Sequence, residues 1–142
     1  MTLVGGHSRL SADEREAIGT TLANAARRDA AVQAMLVRRL LDTNAADLAD
    51  LRRAVSRRDW PGVHRSVHRI KGAAALARCT TLVAAGKSLE SAAGQGSAAV
   101  VNTLLPRYIA ILAEFNDTLS ALCPDSGAAV ADALPAPPVQ RI

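Results

Sequence analysis

His68 is the centre of a group of residues that a helix would bring together on one face. At about 100° per residue, four neighbours fall within roughly 60° of it: His64, Lys71, Gly72 and Ala75. A neutral imidazole nitrogen is a nucleophile, and a lysine one turn away can meet negative charge that develops beside it. The same spacing predicts that Gly72 and Ala75 leave bare helix next to the histidine.

The opposite face of this helix is apolar. Its members lie between roughly −100° and 180° from His68 and define a buried stripe: Val63, Val67, Ile70, Ala74 and Ala77. Gly72 stands out on the other face, because glycine in an exposed helix costs up to about 1 kcal/mol relative to alanine. The pattern therefore predicts an exposed histidine face on which something needs the space beside Gly72.

The motif on this helix is His68-Arg69-Ile70-Lys71-Gly72-Ala73-Ala74. It resembles the motif of histidine phosphotransfer (HPt) domains of bacterial two-component phosphorelays, in which His-x-x-Lys-Gly and small residues lie on the second helix of a four-helix bundle. The resemblance covers roughly residues 29 to 120, with further matches at Leu51, Ala54, Asp59, Val67, Leu82, Leu89 and Glu90. The alanine-rich form is most similar to the terminal module of hybrid sensor kinases of the BvgS type. Many members have glycine ten residues after the histidine, where this chain has Arg78, which bears on the helix end and the docking surface there.

The resemblance implies a phosphorelay intermediate. His68 would accept a phosphoryl group from a receiver-domain aspartate and pass it to a response-regulator receiver, while Lys71 would stabilise charge on the phosphoryl oxygens. Phosphoryl transfer has a largely dissociative transition state, so positioning and charge neutralisation do most of the work. The receiver would supply Mg²⁺, and this chain would bind no cofactor. The expected docking residues are His64, Arg65, Arg69, Gly72 and Ala75.

Two alternatives remain open. A non-catalytic helical module would bind receiver domains without being phosphorylated. The dimerisation-and-phosphoacceptor domain of a histidine kinase fits less well, because its motif has an acidic residue after the histidine and a proline five positions on, where this chain has Arg69 and Ala73.

Two other motifs are weaker. His64 and His68 have the i, i+4 spacing of a zinc pair, but no Asp or Glu lies between them and no cysteine shares their face, so no metal site is predicted. The segment Ala84-Ala85-Gly86-Lys87-Ser88 imitates the end of a phosphate-binding P-loop, but the earlier glycine is Thr81 and no strand precedes it. With no nucleotide pocket indicated, the chain is not expected to be a kinase by itself.

Arginine doublets recur along the chain, at Arg27-Arg28, Arg38-Arg39, Arg52-Arg53 and Arg57-Arg58. They indicate a solvated face or a docking surface for an acidic receiver. Nucleic acid is not the expected partner, because aromatic residues make up only 2% of the chain and no DNA-reading motif is present.

The elements that must position these residues are helices. Hydrophobic residues make up 49% of the 142, mostly Ala, Leu, Val and Ile, and alanine is the best helix former. The aromatic residues that favour strands are scarce. The pattern predicts one all-α domain, an antiparallel four-helix bundle with an N-terminal accessory helix.

Cap residues and breaks set the expected bounds. Ser11 caps the accessory helix, with Glu14 completing a capping box. Asp29, Asp59 and Ser97 cap later helices, and Gly94-Gln95-Gly96 ends one. The bundle helices are predicted at 29–58, 59–77, 80–93 and 97–122, the first of them bending at Thr43-Asn44 if it is two. The domain assignment is a flexible leader at 1–10, the accessory helix at 11–28, the bundle at 29–122 and a disordered Ala/Pro tail at 123–142.

The expected cellular compartment rests on the absence of three sequence patterns: a membrane-spanning run, a signal peptide and a disulfide framework. No run approaches the ~20 uninterrupted apolar residues that cross a bilayer, and residues 1–7 lack the pattern of a signal peptide. Cys79 and Cys123 show no metal spacing and cannot make a disulfide framework. We expect a cytoplasmic protein without membrane contact, either free or covalently part of a hybrid sensor kinase.

Overall fold

A computed structural model describes residues 8–123, and within that range it contains five helices and no strand. The helices are α1 (Ala12–Ala25), α2 (Ala30–Ser56), α3 (Trp60–Ala77), α4 (Thr80–Gly94) and α5 (Ala98–Leu122). Turns of a few residues reverse the chain between the last four, which pack in the cyclic order α2, α3, α4, α5, and α1 lies against α5 and α2. The predicted all-α bundle with an accessory helix is confirmed. Residues 1–7 of the predicted leader and 124–142 of the predicted tail lie outside the described range.

Side-chain caps begin four of the helices, as the sequence predicts. Ser11 Oγ accepts from the Glu14 amide, Asp29 from the amides of Ala31 and Val32, Asp59 from Gly62, and Ser97 from Val100. Each cap satisfies an amide that has no partner inside its helix.

The second half of the predicted capping box at Ser11 is wrong. The Glu14 carboxylate does not return to its own helix but binds the start of α4, accepting from the Thr81 amide at 2.8 Å and from the hydroxyls of Thr80 and Thr81. The N-cap residue of α4, Cys79, offers no side-chain hydrogen bond. A carboxylate is favoured at a helix N-terminus by the free amides and the dipole. Glu14 therefore ties α1 to α4.

Residues 8–10, the last part of the predicted leader, are held on α5. Glu114 accepts from the amides of Arg9 and Leu10 at 2.9 and 3.0 Å and from the Ser8 hydroxyl at 2.9 Å. Leu10 is buried, so an apolar anchor accompanies these bonds. Burial opposes ionisation of Glu114, but the hydrogen bonds outweigh it and its pKa is lowered.

Helix α2 is a single helix, which settles the alternative at Thr43-Asn44. The Thr43 hydroxyl bonds to the Arg39 carbonyl within the helix. Asn44 is buried and donates to Asn116 Oδ1 of α5 at 2.9 Å. The side chains of these two polar residues are satisfied by a backbone carbonyl and by Asn116, so they do not interrupt the helix.

The turn after α3 places Arg78 in the left-handed conformation, with φ 68° and ψ 32°. An L-residue is disfavoured there and glycine is not, which accounts for the glycine typical of this position in the resembling family. The helix nevertheless ends at Ala77, as predicted, and the Cys79 amide bonds to the Ala74 carbonyl. Arg78 therefore makes the turn less favourable than glycine would, but it does not change where α3 ends.

The core is made by the predicted stripes. Val63, Val67, Ile70, Ala74 and Ala77 of α3 are fully buried, as are Leu82 and Leu89 of α4. On α5 the buried residues are Val101, Tyr108, Ile111, Leu112, Phe115, Thr118 and Leu119. By length and composition α5 is the helix within residues 8–123 that would suffice to cross a membrane, and its buried apolar side chains belong to the bundle core.

Candidate functional site

The exposed face of α3 lies between α2 on one side and α4 on the other, and we call these two sides the α2 flank and the α4 flank. His68 projects from this face with 66% of its side chain exposed. The apolar stripe behind it is fully buried, so the backbone of α3 is fixed against the bundle. The nucleophile predicted from the sequence is therefore accessible on a rigid support.

On the α4 flank, one carboxylate collects three partners. Glu90 Oε1 accepts from Lys71 Nζ at 2.6 Å, and Glu90 Oε2 lies 3.4 Å from His68 Nδ1 and 3.5 Å from His64 Nε2. We call these four residues the Glu90 cluster. Burial opposes ionisation of Glu90, but the hydrogen bond and charge of Lys71, together with the two histidines, outweigh it, so its pKa is lowered. The cluster holds an ionised carboxylate directly beneath the histidine.

This contact selects a tautomer of His68. An ionised carboxylate only accepts hydrogen bonds, so it favours the proton on Nδ1, the nitrogen that faces it. Nε2 then keeps its lone pair, and within residues 8–123 it forms no hydrogen bond. The geometry thus supports Nε2 as the nucleophilic nitrogen.

Lys71 is brought next to His68 on the helix, as predicted, but its ammonium is paired with Glu90. Its side chain is 23% exposed, against 66% for His68. Lysine carries a compact charge on a flexible stem, so the ammonium can turn between two anionic partners. A negative group arriving at His68 would compete with Glu90 for this cation.

His64 lies beside His68, with the ring centroids 6.0 Å apart and the planes within 8° of parallel. It shares Glu90 with His68 and is itself 54% exposed. Among residues 8–123, no group of three or more His, Cys, Asp or Glu side chains is arranged to hold a metal ion. The contacts that His64 makes on this face are with the His68 ring and the Glu90 carboxylate.

The glycines of α3 and α4 have different surroundings. A Cβ at Gly72 would meet nothing within 4 Å, whereas one at Gly86 would lie 3.5 Å from Val67 and 3.8 Å from Tyr108. A Cβ at Gly86 would therefore make ordinary van der Waals contacts, and Lys87 beside it is exposed in mid-helix, so the segment is no P-loop. Nothing inside the described domain requires glycine at Gly72.

On the α2 flank, Arg69 is held by two carboxylates. Its Nε donates to Asp47 Oδ1 at 2.7 Å and its terminal nitrogen to Asp50 Oδ2 at 3.0 Å. The hydrogen bond to Asp47 raises the pKa of Arg69 despite its partial burial. Arg69, predicted to dock a partner, is thus engaged within the bundle.

Three of the predicted docking residues, Arg65, Gly72 and Ala75, have no close ion pair of this kind. Arg65 is 65% exposed and reaches Asp59 only at 4.0 Å. Ala75 is exposed one turn beyond Lys71. Around His68, Arg65, Gly72 and Ala75 are therefore exposed without a close partner, whereas Arg69 is 45% exposed and paired within the bundle.

Sequence reasoning missed the partners that come from other helices. Glu90 entered only as one match among several, and Asp47 and Asp50 did not enter at all. Each lies on a neighbouring helix, across a helix–helix contact that periodicity on one helix does not show. Leu76 was also missed, although 78% of it is exposed one turn after Gly72.

Comparison with known proteins gives one match. The family model of the Hpt domain matches residues 35–123, which span α3, α4 and α5 entirely and most of α2. No curated protein and no solved structure matches the chain. Hpt domains carry out histidine phosphotransfer in two-component phosphorelays, interact with receiver domains, and are typically soluble and cytoplasmic. With more than half of its length covered by that model, the chain belongs to the Hpt domain family.

Proposed function

We propose that this chain is a phosphorelay intermediate that accepts a phosphoryl group on His68 from a receiver-domain aspartate and passes it to a response-regulator receiver. The observation that carries the proposal is the exposed His68 ring, whose Nδ1 lies 3.4 Å from Glu90 Oε2 while Nε2 forms no hydrogen bond within residues 8–123. His68 is the residue that matches the histidine of the family motif, and its side chain is also exposed.

The chemistry is a transfer in which nothing is oxidised or reduced. The lone pair on His68 Nε2 forms a bond to phosphorus as the bond from phosphorus to the aspartate oxygen breaks, and the aspartate leaves as a carboxylate. The ring then bears the phosphoryl group on Nε2 and a proton on Nδ1, which makes it cationic. The second transfer reverses these bond changes with another aspartate.

The Glu90 cluster supports both transfers. The carboxylate at Nδ1 stabilises the positive ring that forms when Nε2 attacks, since their charges attract at 3.4 Å. Lys71 would turn from Glu90 towards the phosphoryl oxygens as their charge is redistributed, and His64 would flank the ring. Because most of the barrier depends on position and charge, these groups are the contribution that this chain makes.

The partner supplies what the chain lacks. We assign Mg²⁺ to the acidic pocket of the receiver and no cofactor to this chain. The open space at Gly72, with Ala75 and Arg65 beside it, would admit the loops around the receiver's aspartate. We further propose that the protein acts in the cytoplasm, as a module of a hybrid sensor kinase of the BvgS type or as a free protein.

The decisive experiment is incubation of the chain with candidate receiver domains that carry a labelled phosphoryl group. We expect acid-labile, base-stable label on the chain, mapped by mass spectrometry to His68. Label passed on to a second receiver completes the relay. Stable binding of receivers with no label on any histidine would instead establish the non-catalytic module.

A further inference from the structure

The charges of the Glu90 cluster are balanced before phosphoryl transfer. Glu90 carries one negative charge, Lys71 Nζ carries one positive charge 2.6 Å away, and the two rings are neutral imidazoles in the proposed starting state. Oε2 of the same carboxylate lies 3.4 Å from His68 Nδ1 and 3.5 Å from His64 Nε2. The Glu90 side chain is only 11% exposed, so solvent screens a change of charge beside it weakly.

Phosphoryl transfer to His68 removes this balance. A phosphoryl group carries close to two negative charges at neutral pH, and in the proposed transfer the ring gains one positive charge. The cluster therefore gains about one net negative charge. Lys71 cannot correct the difference, because its single charge already balances Glu90 and would then be shared with the phosphoryl oxygens. The phosphorylated cluster needs one more positive charge than the free cluster.

His64 is the member of the cluster that can supply this charge. Histidine is the side chain whose charge ordinarily changes between pH 5 and 8. The His64 ring is stacked on the His68 ring, with the centroids 6.0 Å apart, and its Nε2 lies beside the Glu90 carboxylate. Its side chain is 54% exposed, so protons from solvent have access to it. A proton on His64 would therefore lie close to both Glu90 and the phosphorylated ring.

The other charged groups around His64 either have partners elsewhere or keep their charge in this pH range. On α3, Arg65 is its neighbour but reaches towards Asp59 at 4.0 Å, and Arg69 is held by the two aspartates of α2. On α4, Lys87 is exposed and forms no ion pair within residues 8–123. The groove beside His64 has no other ionisable side chain in its lining, which is Trp60, Pro61, Ala93, Gly94, Gln95 and Gly96.

We propose that His64 takes up a proton when His68 is phosphorylated, and that this proton restores the charge balance of the Glu90 cluster. The inference rests on the proposed function, since it concerns the phosphorylated state of His68. The proton comes from solvent and returns to solvent when the phosphoryl group leaves for the second receiver, and no electrons are exchanged. Because coupling between two binding events is reciprocal, lower pH then favours the phosphorylated state through His64. His64 is thus a positioning residue that acts through Glu90.

The pH dependence of the transfer equilibrium is the first test. The equilibrium constant for transfer from a phosphorylated receiver is measured between about pH 5.5 and 8.5 for the wild type, His64→Gln and Lys87→Gln. Titration of the receiver and of the phosphoryl group is common to all three proteins, so each variant is compared with the wild type as a ratio. We expect the ratio of wild type to His64→Gln to rise about 3–10-fold as the pH falls, the effect of one unit charge about 6 Å away.

Lys87→Gln is the matched control, because it removes an exposed positive charge of α4 that does not titrate in this range. Its ratio to the wild type should stay constant with pH. His64→Lys keeps a positive charge at every pH, so its equilibrium constant should exceed that of His64→Gln about 3–10-fold throughout the range. A constant ratio of wild type to His64→Gln, or a His64→Lys chain no better than His64→Gln, would overturn the proposal.

Proton uptake is the second test, measured with an indicator dye in weak buffer as the receiver transfers its phosphoryl group. Per phosphoryl group accepted, the wild type should take up about 0.3–0.5 more protons than His64→Gln at the pH where the two differ most. Equal uptake by the two proteins would refute the role of His64. The two possible failures are distinct: no label on the wild type at any pH refutes the proposed function, whereas label with parallel pH profiles refutes only this inference.

Discussion

The two flanks of α3 carry ion pairs of opposite design. On the α4 flank a single carboxylate, Glu90, faces one ammonium and two imidazoles; on the α2 flank a single guanidinium, Arg69, faces Asp47 and Asp50. A guanidinium that is held between two carboxylates in a rigid fork geometry has little freedom to change partner. Lysine and imidazole can exchange partners or protons. The α2 ion pairs are thus suited to joining helices, and the α4 cluster is suited to chemistry.

The largest expected effect is at His68, whose removal eliminates the nucleophile without disturbing either flank. His68→Gln should abolish phosphoryl acceptance while leaving helicity and Tm nearly unchanged, because an exposed side chain contributes little to stability. Labelling with a phosphorylated receiver and a thermal melt measure the two quantities. His64→Gln, on the same face, is the control and should keep most of the labelling. Full labelling of the His68 variant, or label mapped to His64, would refute the assignment.

Removal of the cation from each flank tests the difference between them directly. Lys71→Ala should slow transfer roughly 10–100-fold, equal to about 1.4–2.7 kcal/mol of transition-state stabilisation. Arg69→Ala should instead leave the transfer rate of the folded protein nearly unchanged. Its cost falls on stability, about 2 kcal/mol, because the Asp47 side chain is only 7% exposed and would lose its partner.

Single-turnover rates at saturating receiver and urea unfolding separate the two variants. A rate loss in Arg69→Ala as large as that in Lys71→Ala would show that the α2 ion pairs also contribute to phosphoryl transfer and do not only join helices. Equal rates for Lys71→Ala and the wild type would remove Lys71 from the proposed mechanism.

Gly72 sharpens the comparison, since it lies between the flanks and nothing in the fold needs it. Gly72→Leu should keep the fold but reduce receiver binding and transfer about 10-fold or more, by obstructing the partner's loops. Gly72→Ala should remain nearly active and stabilise the free bundle by up to about 1 kcal/mol. Receiver titrations beside thermal melts measure both. Undiminished transfer by Gly72→Leu would mean that the receiver docks elsewhere.

Patterns along one helix predicted the fold and the exposed position of His68. The 3.6-residue period identified the buried stripe of α3 and placed His68 opposite it, and cap residues located the helix starts. The second half of the capping box was wrong because Glu14 accepts a hydrogen bond from the Thr81 amide at the start of α4, where no side chain of α4 caps the helix. Arg78 could not be interpreted until its positive φ showed why glycine is usual there.

The surroundings of the site were less predictable because they come from across the bundle. Whether Lys71 points to solvent or to Glu90 depends on how far α4 is rotated about its axis, which a sequence pattern fixes only to within a residue or so. The same holds for Arg69 and its two aspartates on α2. Periodicity therefore predicts which residues share a face, while the ion pairs between helices need the packed structure.

The smallest expected effect is the acid sensitivity of the Glu90 cluster. The folded-state pKa of Glu90 lies below its ordinary value of 4.5, because the hydrogen bond and charge of Lys71, with the nearby histidines, outweigh burial. A lowered carboxylate pKa contributes stability above the unfolded pKa, and that contribution is lost as the pH falls through the folded pKa. The free energy of unfolding from urea titrations should therefore drop below about pH 4.5 more steeply in the wild type than in Glu90→Gln. Asp42→Asn is the matched control, since Asp42 is exposed and forms no ion pair within residues 8–123; it should follow the wild-type curve. Parallel curves for the wild type and Glu90→Gln would mean that Lys71 and the histidines do not hold this carboxylate in its charged form, and the tautomer argument for His68 would lose its basis.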